Sequence, residues 1–204
     1  MRPALILASA SPRRSLLLQQ IGVPHRCVAG DIQERRGAGE PAAACVLRLA
    51  AAKALTVRER CRGETALPVL GADTAVLLDD ELLGKPRDRD EGLLMLERLS
   101  GRWHTVLSAV ALAPAAQEGP PRSRLCRSEV LFRALSALER AAYWDSGEPH
   151  GKAGAYAIQG QAAVFIEQLR GSYSGVMGLP LFETAQLLAE IGLPAWCGSC
   201  RGRL

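Results

Sequence analysis

The chain has 204 residues, of which 48% are hydrophobic but only 4% aromatic, and its formal net charge is +4. This length suits one α/β domain with an aliphatic core. No apolar run approaches the roughly 20 residues needed to span a bilayer, and no secretory leader pattern is present, so we expect a cytoplasmic protein without membrane contacts. The dispersed arginines do not form the basic face of a nucleic-acid-binding protein. A small phosphorylated ligand explains the excess charge equally well.

The six cysteines show no disulfide framework for a chain of this length. Cys197 and Cys200 have C-x-x-C spacing, but no second ligand pair or nearby histidine completes a zinc site. We interpret them as ordinary thiols in a C-terminal tail, residues 194–204, that follows one domain of residues 1–193.

The first informative stretch, Leu5–Leu18, begins with a strand-like apolar run and continues through small hydroxyl residues into a helix. Ser11 is the predicted N-cap and Pro12 the first helical residue. Arg13 and Arg14 then fall in the first turn, where the helix dipole disfavours cations. An anion held between them would explain this placement. The alternative is a pair of solvated arginines on an ordinary strand-turn-helix.

The remaining pattern predicts an alternation of strands and helices. Strands are expected at about residues 25–29, 67–78, 81–83, 103–112, 125–132 and 162–169, and helices at 41–57, 88–99, 136–144 and 180–191. Loops are expected at 113–123 and 171–178. Asp88 and Ser136 each precede a glutamate by three residues, which is the capping-box pattern.

Residues 67–78 form an apolar run that only Asp73 and Thr74 interrupt. A buried strand explains the run. Aspartate, however, is depleted in strands and is seldom buried without a partner. Asp73 is therefore a candidate functional carboxylate.

Three further charged residues, Glu34, Lys53 and Lys85, are candidates for the same site. Metal-assisted hydrolysis of a polyphosphate requires carboxylates that hold Mg²⁺ or Mn²⁺ and activate water, and cations that neutralise the phosphates. From spacing alone each residue could equally be a solvated surface charge, above all Glu34 in its charged loop. The pair Arg35 and Arg36 is interpreted as solvated, and the three histidines (His25, His104 and His150) as structural or surface residues.

Six ordered motifs resemble the Maf family of nucleoside triphosphate pyrophosphatases, a family also linked to septum formation. They are Ser9–Arg14, Ala-Ala-Lys-Ala at Lys53, Gly71–Thr74, Gly84–Pro86, Ala155–Gly160 and Val176–Pro180, collinear from about residue 4 to 193. The resemblance implies an α/β fold, in which a long mixed twisted sheet with helices forms two lobes around a cleft, related to inosine triphosphatase-type enzymes. It also implies a divalent metal cofactor, Mg²⁺ or Mn²⁺, and a homodimer.

Carried over residue by residue, the resemblance implies that Asp73 is the proton acceptor for water and a metal ligand. The other matching positions are the phosphate-binding cations Arg13, Arg14, Lys53 and Lys85, the pocket hydroxyl Ser9, the metal-side carboxylate Glu34, and the substrate-selecting residues Thr74 and Gln159. Gly151 departs from the pattern, since related sequences often have aspartate there.

The resemblance predicts hydrolysis of dTTP and UTP to nucleoside monophosphate and pyrophosphate. A neutral amide at Gln159 offers one acceptor and two donors to the edge of uracil or thymine, whereas a glutamate would suit 7-methylguanine better. Two alternatives are open: a 7-methyl-GTP pyrophosphatase, and a nucleotide-binding division regulator without significant turnover. Asp73 beside the cations favours catalysis, because a mere phosphate binder gains nothing from a carboxylate there.

Overall fold

The computed structural model describes residues 2–63, 67–115, 119–193 and 195. Its strands are β1 (Leu5–Ala8), β2 (His25–Cys27), β3 (Val69–Leu78), β4 (Glu81–Leu83), β5 (Trp103–Ala113), β6 (Arg122–Phe132) and β7 (Ile166–Arg170). Its helices are α1 (Pro12–Gln20), α2 (Ala42–Arg60), α3 (Arg89–Leu99), α4 (Ala137–Asp145), α5 (Tyr173–Met177) and α6 (Leu181–Ala189). None of these helices is long and apolar enough to cross a bilayer.

The seven strands form one mixed sheet in the order β2-β1-β3-β5-β6-β7, with β4 paired to β3. Strand β1 runs parallel to both of its neighbours, and every other pairing is antiparallel. The longest strands, β3, β5 and β6, form the middle of the sheet. The expected long mixed sheet is thereby confirmed.

Side chains on successive residues of a strand point to opposite faces of the sheet. Leu5 and Leu7 of β1 pack with α1 and α6, whereas Ile6 and Ala8 pack with α2 on the other face. A separate core forms around Phe132, where α3, α4 and the segment before β7 cover the far ends of β3, β5 and β6. A cleft lies where these cores meet.

A break in strand pairing opens that cleft. Strand β1 ends at Ala8, opposite Gly71 of β3, and β4 first pairs with β3 at Val76. Residues 72–75 of β3 therefore have no partner strand on this side within the described chain. Crevices beyond the carboxyl ends of parallel strands are the usual ligand sites of α/β sheets.

Two predicted segments are wrong. Residues 162–169 were expected as one strand, but Gln161–Phe165 is a 3₁₀ turn that precedes β7, because the Glu148 carboxylate accepts hydrogen bonds from the amides of Gln161 and Ala162. Residues 171–178 were expected as a loop but contain α5, whose first turn is capped by the Ser172 hydroxyl accepting from the Gly175 amide.

The other elements agree with the prediction apart from their ends. Helix α2 continues past Val57 to Arg60, and β6 begins at Arg122 inside the predicted loop. The capping box at Ser136 is confirmed. At Asp88 only one of the two hydrogen bonds of a capping box forms. The Asp88 carboxylate accepts from the Glu91 amide, but the Glu91 carboxylate accepts from the amide of Arg87 instead. The tail thiols Cys197 and Cys200 lie outside the described residues.

His104 is a structural residue, as expected. Its Nε2 lies 2.9 Å from the Tyr156 hydroxyl, and its ring meets Phe132 edge-on. Burial lowers the pKa of His104 to about 4, so the ring is neutral at physiological pH.

Candidate active site

A cleft of about 380 Å³ lies beside the break in strand pairing. It is lined by the β1–α1 connection, the loop after β2, the middle of β3 and the segment around Lys152. The predicted site residues that line it are Ser9, Arg13, Arg14, Glu34, Lys53, Asp73, Thr74 and Lys85. Gln159 does not line it, and its side chain is exposed, so its role in substrate selection stays a prediction.

Lys53 joins two carboxylates on one wall of the cleft. Its Nζ lies 2.6 Å from Asp73 Oδ1 and 2.6 Å from Glu34 Oε1. The lysine and Asp73 are almost fully buried, whereas the Glu34 side chain is 40% exposed. Glu34, the weakest candidate in the sequence, is therefore part of the cluster.

The packing of α2 on β3 produces this contact. Asp73 lies two residues after Gly71 and on the same face of the sheet, which is the face that α2 covers. A Cβ at Gly71 would overlap the carbonyl oxygen of Ala50 and approach the amide of Ala54. Glycine therefore lets the helix approach the strand closely, and Lys53, between Ala50 and Ala54 on α2, reaches Asp73.

At both carboxylates burial acts to raise the pKa and the neighbouring cations act to lower it, but the net result differs. Burial raises the pKa of Asp73 above its ordinary value, although Lys53 and Arg14 oppose the shift. At Glu34 burial also acts to raise the pKa, but hydrogen bonds and charge from Lys53, with further help from Lys85, bring it below its ordinary value. A carboxylate with a raised pKa is a better proton acceptor, which suits Asp73 for a role as general base.

The two arginines of the first turn are held by backbone carbonyls across the cleft. Arg14 donates from Nε to the Gly178 carbonyl at 2.8 Å and from Nη1 to the Ser9 hydroxyl at 3.0 Å. Arg13 donates from Nε to the Met177 carbonyl at 3.3 Å. Burial lowers the pKa of Arg14, so this poorly hydrated cation would gain from an anion beside it.

The predicted cap of this helix forms in an unexpected way. Ser11 is at the N-cap position and Pro12 follows it, but the Ser11 side chain makes no capping bond. The Ser9 hydroxyl instead accepts from the Ser11 amide at 3.2 Å. Ser9 thus connects the start of α1 to Arg14.

Thr74 points away from Asp73, toward the other face of the sheet. Its hydroxyl lies 2.9 Å from the Ser108 hydroxyl and 3.3 Å from the Gly178 carbonyl. Ser108 in turn donates to the Gly175 carbonyl at 2.6 Å. These bonds fix the end of α5 against the sheet and place Thr74 on the cleft wall.

Sequence reasoning missed one cation of the cleft. Lys152 lies on the wall formed by residues 151–153, and burial, together with repulsion from Arg13, lowers its pKa. The signal was a lysine within a run of small residues that lets a ligand approach the backbone. The adjacent Gly151 has φ +69°, a left-handed conformation in which a side chain is strained, although a Cβ there would meet nothing within 4 Å.

The two carboxylates suit a metal ion that is shared with a substrate. In the described residues no group of three or more His, Cys, Asp or Glu side chains is arranged to hold a metal. Asp73 and Glu34, however, already converge on one cation, the Lys53 ammonium. Mg²⁺ is commonly held by one or two carboxylates together with substrate phosphates and water, and these two residues fit that pattern.

Carboxylates that converge beside lysines and arginines, in a cleft of an α/β sheet, are groups that proteins use to bind phosphates and their metal ions. Comparison with known sequences identifies the family: the profile described as "Maf-like protein" matches residues 4–191. The chain belongs to the Maf family.

Curated relatives align over nearly their whole length. A protein of Alkalilimnicola ehrlichii is 52% identical over 93% of this chain and 93% of its own. One of Burkholderia lata is 53% identical over 91% and 92%. Each is named dTTP/UTP pyrophosphatase. A solved structure titled as a nucleoside-triphosphatase / dITP/XTP pyrophosphatase from Mycobacterium abscessus has a TM-score of 0.40 at 23% identity, over 64% of this chain and 74% of its own.

Proposed function

We propose that the chain hydrolyses dTTP and UTP between the α and β phosphates, releasing nucleoside monophosphate and pyrophosphate. The observation that carries the proposal is the convergence of Asp73 and Glu34 on Lys53 in a cleft that also contains Arg13 and Arg14. The substrate pair is supported by relatives named dTTP/UTP pyrophosphatase at 46–53% identity.

In this proposal the triphosphate lies among the cations, and Asp73 accepts a proton from the attacking water. The water oxygen bonds to the α-phosphorus as the bond from that phosphorus to the bridging oxygen breaks. Lys53, Lys85 and the arginine pair stabilise the charge that develops on the departing pyrophosphate. Such a cleft contributes by positioning and by electrostatics, the main sources of catalysis in phosphoryl transfer.

Asp73 and Glu34 would hold a divalent cation, Mg²⁺ or Mn²⁺. When bound, such an ion supplies charge neutralisation of the phosphates and lowers the pKa of bound water. Because its Nζ occupies the point on which both carboxylates converge, Lys53 would then turn toward a phosphate.

The proposal extends to where the protein acts and how it assembles. We place it in the cytoplasm, in line with the free thiols of Cys27, Cys45, Cys61 and Cys126 and with the reducing conditions that favour free thiols there. A homodimer is implied by the family resemblance, and light scattering after size exclusion would test it.

Hydrolysis of dTTP in ¹⁸O-labelled water tests the bond that is cleaved. We expect one labelled oxygen in dTMP and none in pyrophosphate, because the water attacks the α-phosphorus. Label in pyrophosphate would mean attack at the β-phosphorus, and release of orthophosphate would mean cleavage at the γ-phosphate. Either result would contradict the proposal.

A further inference from the structure

Glu34 is held in the cleft although its own segment has no regular structure. Residues 28–41, all of them described, contain neither helix nor strand. Even so, the Glu34 carboxylate lies 2.6 Å from Lys53 and 3.3 Å from Lys85. A loop side chain keeps such a position only when other contacts fix its backbone.

Arg48 supplies such a contact at Arg35, the residue that follows Glu34. Its Nε and Nη2 donate to the two oxygens of Glu40 at 2.6 and 2.7 Å, which is a bidentate pair. The same Nη2 donates to the carbonyl of Arg35 at 2.9 Å. Arg48 therefore fixes the residue that follows Glu34 to α2, the helix that also carries Lys53.

Glu40 completes the link at the other end of the loop. Its Oε2 also accepts from the Gly37 amide at 2.9 Å, and its side chain is only 16% exposed. Arg36 donates to the Glu40 carbonyl at 2.6 Å and to the Asp80 carbonyl at 3.2 Å. The expected solvated pair, Arg35 and Arg36, is therefore partly engaged in bracing this loop.

We propose that Arg48 and Glu40 are positioning residues that hold Glu34 at Lys53 and so prepare the second carboxylate for the metal. This inference rests on the proposed function, because that function assigns Glu34 to the metal. Neither residue lines the cleft, so both act through the loop backbone and not on the substrate.

An ordinary surface ion pair would not have this effect. Exposed pairs contribute about 0–1 kcal/mol and carry little geometric information. The Arg48 side chain is itself 47% exposed, so the pair differs by its geometry and not by burial. Its planar guanidinium binds a carboxylate bidentately and a backbone carbonyl at the same time, which the single ammonium of a lysine does not reproduce.

The test is the affinity for Mn²⁺ of the full chain, measured by titration calorimetry in the presence of a non-hydrolysable dTTP analogue. Arg48→Met should weaken Mn²⁺ binding about tenfold, the lower end of the range for residues that support a metal ligand. Arg98→Met is the matched control, because Arg98 forms a pair with Glu81 at 2.7 Å elsewhere on the surface. The control should bind Mn²⁺ as the wild type does.

A double-mutant cycle separates positioning from a general loss of stability. In a Glu34→Ala background, Arg48→Met should cause no further loss of Mn²⁺ affinity, because the side chain it positions is gone. An equal loss in both backgrounds, an unchanged affinity in the single variant, or no Mn²⁺ binding by the wild type would overturn the inference. If the proposed function itself is wrong, the wild type does not hydrolyse dTTP, and this result is separate from the Mn²⁺ affinities.

Discussion

Replacing Asp73 by asparagine removes one charge from the buried cluster while preserving its shape. The amide oxygen still accepts from Lys53, which also keeps its contact with Glu34 at 2.6 Å. What is lost is the group that, in the proposed mechanism, accepts the proton of the attacking water. The expected fall in kcat is about 10²–10⁴-fold, equivalent to about 2.7–5.4 kcal/mol of transition-state stabilisation.

The same substitution should not weaken the fold at neutral pH. Burial raises the pKa of Asp73 in the folded protein, so its protonated form is favoured by folding. The stability that this shift contributes is fully present below the ordinary aspartate pKa of about 3.9 and is lost as the pH rises through the folded-state pKa. Asparagine does not titrate. The free energy of unfolding of the variant, relative to that of the wild type, should therefore increase as the pH is raised from 4 to 8.

Two assays test this reasoning together. Pyrophosphate release from saturating dTTP gives kcat, and urea unfolding in EDTA at pH 4 and pH 8 gives the free energy of unfolding. Turnover within a few-fold of the wild type would refute the role of Asp73 as proton acceptor. If the variant loses about 3–5 kcal/mol of unfolding free energy at pH 8, the cost of stranding a buried charge, then burial does not outweigh ion pairing at Asp73 and the reasoning is wrong.

Three further changes probe the buried charge cluster, the choice of nucleobase and the packing of α2 on β3. Lys53→Met should cost about 3–5 kcal/mol at pH 8, because it leaves Asp73 buried without its ammonium, and adding Asp73→Asn should recover most of that loss in urea unfolding. Gln159→Glu should reduce the ratio of kcat/KM for dTTP to that for 7-methyl-GTP, and an unchanged ratio would remove Gln159 from substrate selection. Gly71→Ala should cost about 1–3 kcal/mol, because a Cβ would overlap the α2 backbone, and a melting temperature equal to that of the wild type would contradict the close approach of α2.

Sequence patterns predicted the part of the fold that depends on local periodicity. Strand β3 was evident because its apolar run is long, and Asp73 was conspicuous because a carboxylate interrupts it. The segment 162–169 failed for the opposite reason. Its apolar residues suit a strand, but the distant carboxylate of Glu148 accepts from two of its amides and turns the chain, and local pattern contains no sign of that contact.

The site was partly predictable for a similar reason. Arg13 and Arg14 stood out because cations are unfavourable at a helix start, and the cleft contains both. Lys152 and Arg48 were missed because a lysine in a glycine-rich turn and an arginine on a helix surface are ordinary features. Their significance depends on which backbone approaches them across the fold, and that is decided by tertiary packing.

The most direct test of the central claim is the rate of pyrophosphate release over a panel of dTTP, UTP, 7-methyl-GTP and the standard purine triphosphates, each with Mg²⁺, with Mn²⁺ and with EDTA. We predict that kcat/KM is highest for dTTP and UTP, that activity requires a divalent metal, and that Asp73→Asn lowers kcat by about 10²–10⁴-fold. Equal or faster hydrolysis of 7-methyl-GTP, or no pyrophosphate release from any nucleotide, would contradict the account.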